Sequence, residues 1–302
     1  MLVNPICGFL GSGKTTLMRR IIGERGNREP MAVIVNEFGD VGIDGAILSG
    51  QSVDMVEITS GCLCCTLKGS LVSALEELRD KKGRRRVVIE ATGVAQPAEL
   101  LEVLADPALK GSIEVGPVVT VIDAATFMGL RRVLGTFYTE QIRSADVLLL
   151  NKTDLARPDH LETVRAEIIA LNPRATVVAT ERCNVRLDMI LDSERGVAGP
   201  SALEQGLASP APSASFVSFA VPTPFDADRA KVEQFFTRLP AEIVRAKGFM
   251  RLGGQACTVQ FAAGQLEITP AVNPRALNLV FIACREPDRA AIQQGVERTR
   301  RG

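Results

Sequence analysis

Residues 8–15 read Gly8, Phe9, Leu10, Gly11, Ser12, Gly13, Lys14 and Thr15, a full match to the pattern G-x-x-x-x-G-K-[ST]. An apolar run, Leu2 to Cys7, precedes the glycines, and a helix-like segment, Thr16 to Ile22, follows them. A strand, a glycine loop and a helix N-terminus in that order form a cradle for phosphate. The glycines let backbone N–H groups turn inward on phosphate oxygens. Lys14 would reach the β- and γ-phosphates and the Thr15 hydroxyl would hold Mg²⁺. Gly8, Gly11, Ser12, Gly13 and Thr16 complete the expected phosphate shell. The loop alone does not choose between ATP and GTP.

Base choice is carried by Asn151, Lys152, Thr153 and Asp154, which follow the apolar run Val147–Leu150. A buried Asp154 would accept hydrogen bonds from the N1–H and exocyclic amine of guanine, a donor pair that adenine lacks. Asn151 would face the guanine carbonyl edge and the Lys152 stem would lie along the base. The alternative is a polar turn capping the next helix. Upstream, Val87–Ile89 ends in Glu90, followed by Ala91, Thr92 and Gly93. An acid there can hold Mg²⁺ or its water shell, with Gly93 near the γ-phosphate. Asn36, Glu37, Phe38, Gly39 and Asp40 form a loop that is either a nucleotide-sensing switch or a plain turn. Lys14, Glu37 and Glu90 are the candidate catalytic residues.

Gly61, Cys62, Leu63, Cys64 and Cys65 place three thiols in four residues where a helix opens. A helix N-terminus favours thiolates, which bind zinc, cobalt or copper(I). Three cysteines leave a fourth ligand to be supplied, and Glu37 is a candidate. A redox pair or structural thiols are the other readings; adjacent Cys64 and Cys65 are poorly placed for a disulfide. Cys7, Cys183, Cys257 and Cys284 lie in or near apolar runs and read as small core residues. His160, the single histidine, follows Pro158 and Asp159 at a helix start and reads as a solvated or capping residue.

These motifs need a scaffold, and the spacing supplies one. Apolar runs at Leu2–Cys7, Met31–Val35, Val87–Ile89, Val118–Ile122, Val147–Leu150 and Thr176–Ala179 alternate with helical patterns such as Leu67, Leu71, Leu75, Leu78 and Leu161, Val164, Ile168, Leu171. Unbroken apolar strands between helices predict an α/β fold with a doubly wound, mostly parallel sheet. The Gly-, Pro-, Ala- and Ser-rich stretch 196–214 reads as a linker between a P-loop domain at 1–195 and a smaller α+β domain at 215–302. In the second part a strand is expected at Phe216–Val221 and a helix at Asp226–Arg238. Strands follow near Ile243–Leu252, Ala256–Phe261, Gln265–Ile268 and Leu277–Ala283, and a last helix from about Pro287.

The chain has 302 residues, 46% of them hydrophobic and 23% charged, with 35 basic and 35 acidic residues. A zero formal charge gives no global field for nucleic acid or an acidic membrane. Arg84, Arg85 and Arg86 read as a solvated turn. No apolar run is long enough to span a bilayer. The start runs directly into the first strand without a signal-peptide pattern, so a cytoplasmic protein with reduced cysteines is the expectation.

Together these segments resemble the CobW branch of the SIMIBI-class GTPases, the metallochaperone family that also holds UreG and HypB. GFLGSGKTT at 8–16, NEFGDVGID at 36–44, GCLCC at 61–65, EATGVAQP at 90–97 and NKTD at 151–154 carry the resemblance, and RAKGF at 245–249 extends it to the second domain. Ala91 stands where many relatives have Ser, and the histidine-rich insert of some branches is absent. The resemblance implies slow GTP hydrolysis with Mg²⁺ and delivery of a transition metal, zinc or cobalt, held by Cys62, Cys64 and Cys65 with Glu37. It implies a client metalloprotein as partner, and leaves room for a homodimer. A P-loop kinase or a metal sensor with thiol regulation is the alternative.

Overall fold

The computed structural model describes residues 1–37, 53–59, 66–80, 85–192, 216–262, 264–271 and 276–301. The chain divides into two compact units, one drawn from 1–128 and 136–210, the other from 129–135 and 211–302.

The first unit is built on strands β1 (Leu2–Cys7), β2 (Met31–Glu37), β3 (Val53–Thr59), β4 (Arg86–Glu90), β5 (Glu114–Val115), β6 (Val119–Asp123), β7 (Val147–Asn151) and β8 (Thr176–Ala179). Their order in the sheet is β3-β2-β4-β1-β6-β7-β8, with β5 beside β1, and every pairing is parallel. The unit's described helices are α1 (Lys14–Arg25), α2 (Thr66–Asp80), α3 (Pro97–Leu104), α5 (Thr136–Arg143), α6 (Pro158–Leu171) and α7 (Asp188–Leu191), while α4 (Phe127–Leu134) begins in this unit and has its residues from 129 on in the other.

Strand periodicity explains the two-sided core. On β2, Met31, Val33 and Val35 join a cluster with Leu17, Met18, Ile21 and Ile22 of α1 and Ile190 and Leu191 of α7. Ala32 and Ile34 join the opposite cluster, with Leu71, Leu75 and Leu78 of α2 and Leu100, Val103 and Leu104 of α3. Alternate residues of one strand thus feed opposite faces, and both faces must be apolar. Burying one such side chain contributes about 1.5–3 kcal/mol.

The second unit holds β9 (Val217–Pro222), β10 (Asp226–Ala227), α8 (Arg229–Thr237), β11 (Ile243–Leu252), β12 (Gln255–Ala262), β13 (Gln265–Pro270), β14 (Asn278–Ala283) and α9 (Arg289–Glu297). The order β13-β12-β11-β14-β9 is antiparallel throughout, and β10 joins β11 in parallel. Cys257, Val259 and Phe261 alternate along β12 onto Val232 and Phe236 of α8 and Ile292 and Val296 of α9. One helix-covered face is the α+β arrangement expected.

Three expectations need correction. The helix expected at Asp226–Arg238 begins at Arg229. Asp226 and Ala227 pair with β11, and the Asp228 carboxylate accepts from Lys231 N at 3.0 Å as the N-cap. Strand β3 is an addition to the expected set. Val53, Asp54, Met55, Val56 and Glu57 mix polar and apolar residues, as an edge strand can, so there is no unbroken apolar run to read. Arg86 is not in a solvated turn. It opens β4 with 6% exposure, and its guanidinium meets Glu29 Oε1 (3.0 Å), Asn4 Oδ1 (2.6 Å), the Leu191 carbonyl (3.2 Å) and Asp192 Oδ1 (2.5 Å). A buried guanidinium is tolerated because its donors are matched this fully. Arg85 is exposed, and Arg84 lies outside the described residues.

Candidate functional site

Parallel strands end together, so the loops after β1, β4, β6, β7 and β8 gather along one edge of the sheet. The neighbours of β1 are β4 on one side and β6 on the other, and connections leave β1 in a crevice where α/β sheets bind ligands.

The loop after β1 has the backbone that its glycines permit: Gly8, Gly11 and Gly13 all have positive φ. At Gly13 (φ 117) a Cβ would lie 2.4 Å from Asn151 Nδ2, so only glycine lets the turn lie on that side chain. Lys14 opens α1 with 7% exposure, and its Nζ donates to the carbonyls of Gly8 (2.9 Å) and Phe9 (3.2 Å). The charge is therefore curled over the loop that would cradle phosphate.

Glu90 ends β4 at 7% exposure, and Thr15 Oγ1 donates to its Oε1 at 2.9 Å. Its other oxygen, Oε2, is buried without a hydrogen-bond partner among the described residues, as is Ser12 Oγ. A buried orphan acceptor costs roughly 1–3 kcal/mol unless a partner arrives. A hydroxyl and a carboxylate in contact, with a carboxylate oxygen left over, make a donor set that suits Mg²⁺. Gly93 packs its backbone against the same loop: a Cβ there would lie 2.5 Å from Leu10 Cδ2 and 2.7 Å from Leu10 N. Thr16 is exposed on the first turn of α1.

On the other side of β1, Asn151 ends β7 at 2% exposure. Its Nδ2 donates to the Ser12 carbonyl at 2.9 Å and its Oδ1 accepts from Cys183 N at 2.8 Å. Each end of the amide holds one bond that joins the glycine loop to the loop after β8, a bracing role that the motif did not announce; a second N–H and a second lone pair remain for the expected base edge. Lys152 follows in a left-handed conformation (φ 61), and its Nζ donates to Asp123 Oδ2 at 2.7 Å. Asp154, expected to be buried, is exposed in a 3₁₀ turn over Thr153–Leu155. Thr153 is tied through its N and Oγ1 to the Thr180 carbonyl, at 3.3 and 3.2 Å.

Sequence reasoning missed Asp123, at 3% exposure. Its Oδ1 accepts from Ala125 N (3.0 Å) and Thr126 N (3.3 Å), so one carboxylate turns the chain after β6 and fixes Lys152. An acid ending an apolar strand was the available signal, the same one that picked out Glu90. His160 Nε2 lies 3.1 Å from the Ala124 carbonyl and stitches α6 to this turn.

Cys183 is a core residue with added duties. It is fully buried, sits at φ 56, and its thiol meets the Gly13 carbonyl at 3.4 Å. Burial pushes the thiol up from 9.0 to about 11, against the opposing charges of Arg20 and Lys152. Cys7 rises to about 12 by burial, opposed by Lys14. At pH 8 iodoacetamide should leave both unlabelled in the folded protein, read by mass spectrometry of the digest. Between pH 9 and 11 the unfolded chain binds fewer protons at these thiols than the folded one, so stability should fall as pH rises through that window. Adducts on Cys183 at pH 8 without unfolding would contradict the geometry.

Cys62, Cys64 and Cys65 lie outside the described residues, between β3 and α2 in sequence. Of Glu37 only the backbone, at the end of β2, is described. Among the described residues no group of three His, Cys, Asp or Glu side chains is placed to hold a metal ion, and no helix is long and apolar enough to cross a membrane.

A parallel doubly wound sheet with a glycine loop leading into α1, and an acid on the adjacent strand, defines a P-loop nucleotide-binding protein. Residues 2–179 match the CobW/HypB/UreG nucleotide-binding domain, and residues 215–300 match the cobalamin synthesis protein cobW C-terminal domain. The chain belongs to the CobW/HypB/UreG family. A "Zinc chaperone CobW" of Sinorhizobium sp is 27% identical over 96% of this chain and 95% of its own length. The "Zinc-regulated GTPase metalloprotein activator 1" of Schizosaccharomyces pombe is 37% identical over 59% of this chain, which spans only 45% of that relative. The crystal structure of Zn(II)-bound YjiA GTPase from E. coli superposes with a TM-score of 0.50 at 23% identity, covering 100% of this chain and 99% of the other, a likeness of fold.

Proposed function

We propose that this protein binds and hydrolyses GTP, and uses the nucleotide state to take up a transition metal and pass it to a client metalloprotein. Residues 1–195 would form the GTPase domain, 196–214 the linker and 215–302 the CobW-like C-terminal domain, working in the cytoplasm. The observation that carries the reading is the contact of Thr15 Oγ1 with Glu90 Oε1 beside a P-loop, with Glu90 Oε2 buried and unmatched among the described residues.

In this reading the P-loop N–H groups and Lys14 bind the phosphates. Water attacks the γ-phosphorus, the bond to the β–γ bridging oxygen breaks, and Lys14 offsets the charge that develops on the leaving diphosphate. Thr15 and Glu90 would hold Mg²⁺, which neutralises charge on the β- and γ-phosphates. Lys152 would support the base and Asp154, exposed to solvent, is free to meet the guanine donor pair. Gly93 keeps the segment after Glu90 against the loop that touches phosphate.

The metal is cargo, and Cys62, Cys64 and Cys65 with Glu37 are its proposed ligands. Zinc stands ahead of cobalt because relatives are named zinc chaperones. The γ-phosphate acts on the metal site only through contacts that differ between two states of the loops. Zinc titration in GDP and in a non-hydrolysable GTP analogue tests this. The analogue should tighten zinc about tenfold, equivalent to about 1.4 kcal/mol, and by reciprocity zinc should tighten the analogue equally. Cys64→Ala with Cys65→Ala should remove zinc binding and leave nucleotide binding intact. Equal zinc affinity in the two nucleotide states would refute the coupling.

A further inference from the structure

We propose that Arg20, on the helix that follows the P-loop, is a positioning residue for the nucleotide base, acting through the loop after β8; this rests on the nucleotide reading of the site. The loop Thr180–Asn184 makes an uncommon turn. Two successive non-glycine residues, Arg182 and Cys183, have φ of 50 and 56, a region that L-residues avoid unless their surroundings over-determine it.

The contacts of Cys183 over-determine it. Each of its polar groups goes to a different part of the site. Its N–H donates to Asn151 Oδ1 at the end of β7, and its thiol meets the Gly13 carbonyl of the P-loop. Its carbonyl accepts from Arg20 Nη1 of α1. Arg20 is steadied in turn by Glu24 Oε1, 2.5 Å from Nη2 and one helical turn on. The same loop also receives Thr153 N and Oγ1 at the Thr180 carbonyl. It therefore shares a wall with the Asn151–Asp154 turn, where the base is placed. The bonds from Asn151 and from the thiol both converge on the P-loop side. Arg20 pulls the carbonyl towards α1 and, with the bond from Asn184 N to the Glu181 carbonyl (2.8 Å) at the other end of the same peptide, fixes the plane between Cys183 and Asn184. Its guanidinium lies along α1, which begins with Lys14 and Thr15, so one helix would hold the phosphates at its start and orient the base wall two turns later.

Removing this tether should therefore weaken the base end and spare the phosphate end. Arg20→Ala should raise the Kd for GTP about tenfold, with kcat at saturating GTP within twofold of the wild type. Amide exchange should speed up in the peptide containing 180–184. Arg20→Lys should recover part of the affinity, since an ammonium can still donate to the carbonyl. Glu24→Ala, at an exposed position, should give a smaller loss of two- to threefold and serves if Arg20→Ala does not fold. A lower kcat at unchanged Kd, or an unchanged Kd in both Arg20→Ala and Glu24→Ala, would overturn the assignment. A wild-type protein that binds ATP as tightly as GTP would refute the guanine reading instead; the Arg20 effect would then be read with ATP, against the same outcomes.

Discussion

Lys14→Ala should lower GTP turnover by about 10²–10³-fold, the usual consequence of losing one preorganised charge from a transition-state site. The fold should survive. Lys14 Nζ donates to the Gly8 and Phe9 carbonyls, on a loop whose Gly11 faces solvent, so water can take over part of its role. The stability cost should stay within about 1–2 kcal/mol. Phosphate release and circular dichroism on the same preparation separate the two effects. Turnover near that of the wild type would remove the P-loop from the chemistry.

Asn151→Ala should have the opposite profile, with the larger loss in stability. It leaves the Ser12 carbonyl and the Cys183 N–H buried without their partner, at about 1–3 kcal/mol each. For a unit of this size that is a fall in Tm of roughly 4–24 °C. Nucleotide affinity should fall with it, because the glycine loop loses its support from β7. Asp154→Asn, three residues on but exposed, is the matched comparison and should leave Tm almost unmoved. Thermal melts of the two variants side by side decide it: equal shifts would mean that Asn151 is not the brace the structure describes.

The contrast separates properties that the chain displays locally from those it does not. β1 and β8 were legible to the residue, because short, mostly apolar runs between helical patterns read as strands, whether buried in the middle of the sheet as β1 is or partly exposed at its edge as β8 is. Thr15 could be singled out because the P-loop pattern fixes its spacing, and Glu90 because it is an acid that ends an apolar strand. β3 was not, since an edge strand tolerates Asp54 and Glu57. Arg86 looked like part of a basic turn because its partners, Asn4, Leu191 and Asp192, are 82, 105 and 106 residues away. Arg20 and Cys183 are 163 residues apart. No periodicity or spacing encodes such pairs; they exist only once the sheet order is set. The bonds of the Asn151 amide to the Ser12 carbonyl and Cys183 N were hidden for the same reason: both backbone groups are distant in the chain.

That sheet order also has a consequence for synthesis. β1 leaves the ribosome first yet takes a central position, and its neighbours β4 and β6 end at residues 90 and 123. At about 5–20 residues per second, a nascent chain carries the glycine loop for roughly 6–23 s before β6 is complete. During that interval the Val121 carbonyl, which packs against Gly8, does not yet exist, nor does the Asn151 amide beneath Gly13. Nucleotide can stabilise only a chain that has both. GTP would thus be a late folding ligand, arriving after the seventh strand, and a chain released before Asn151 would have the motif without the pocket.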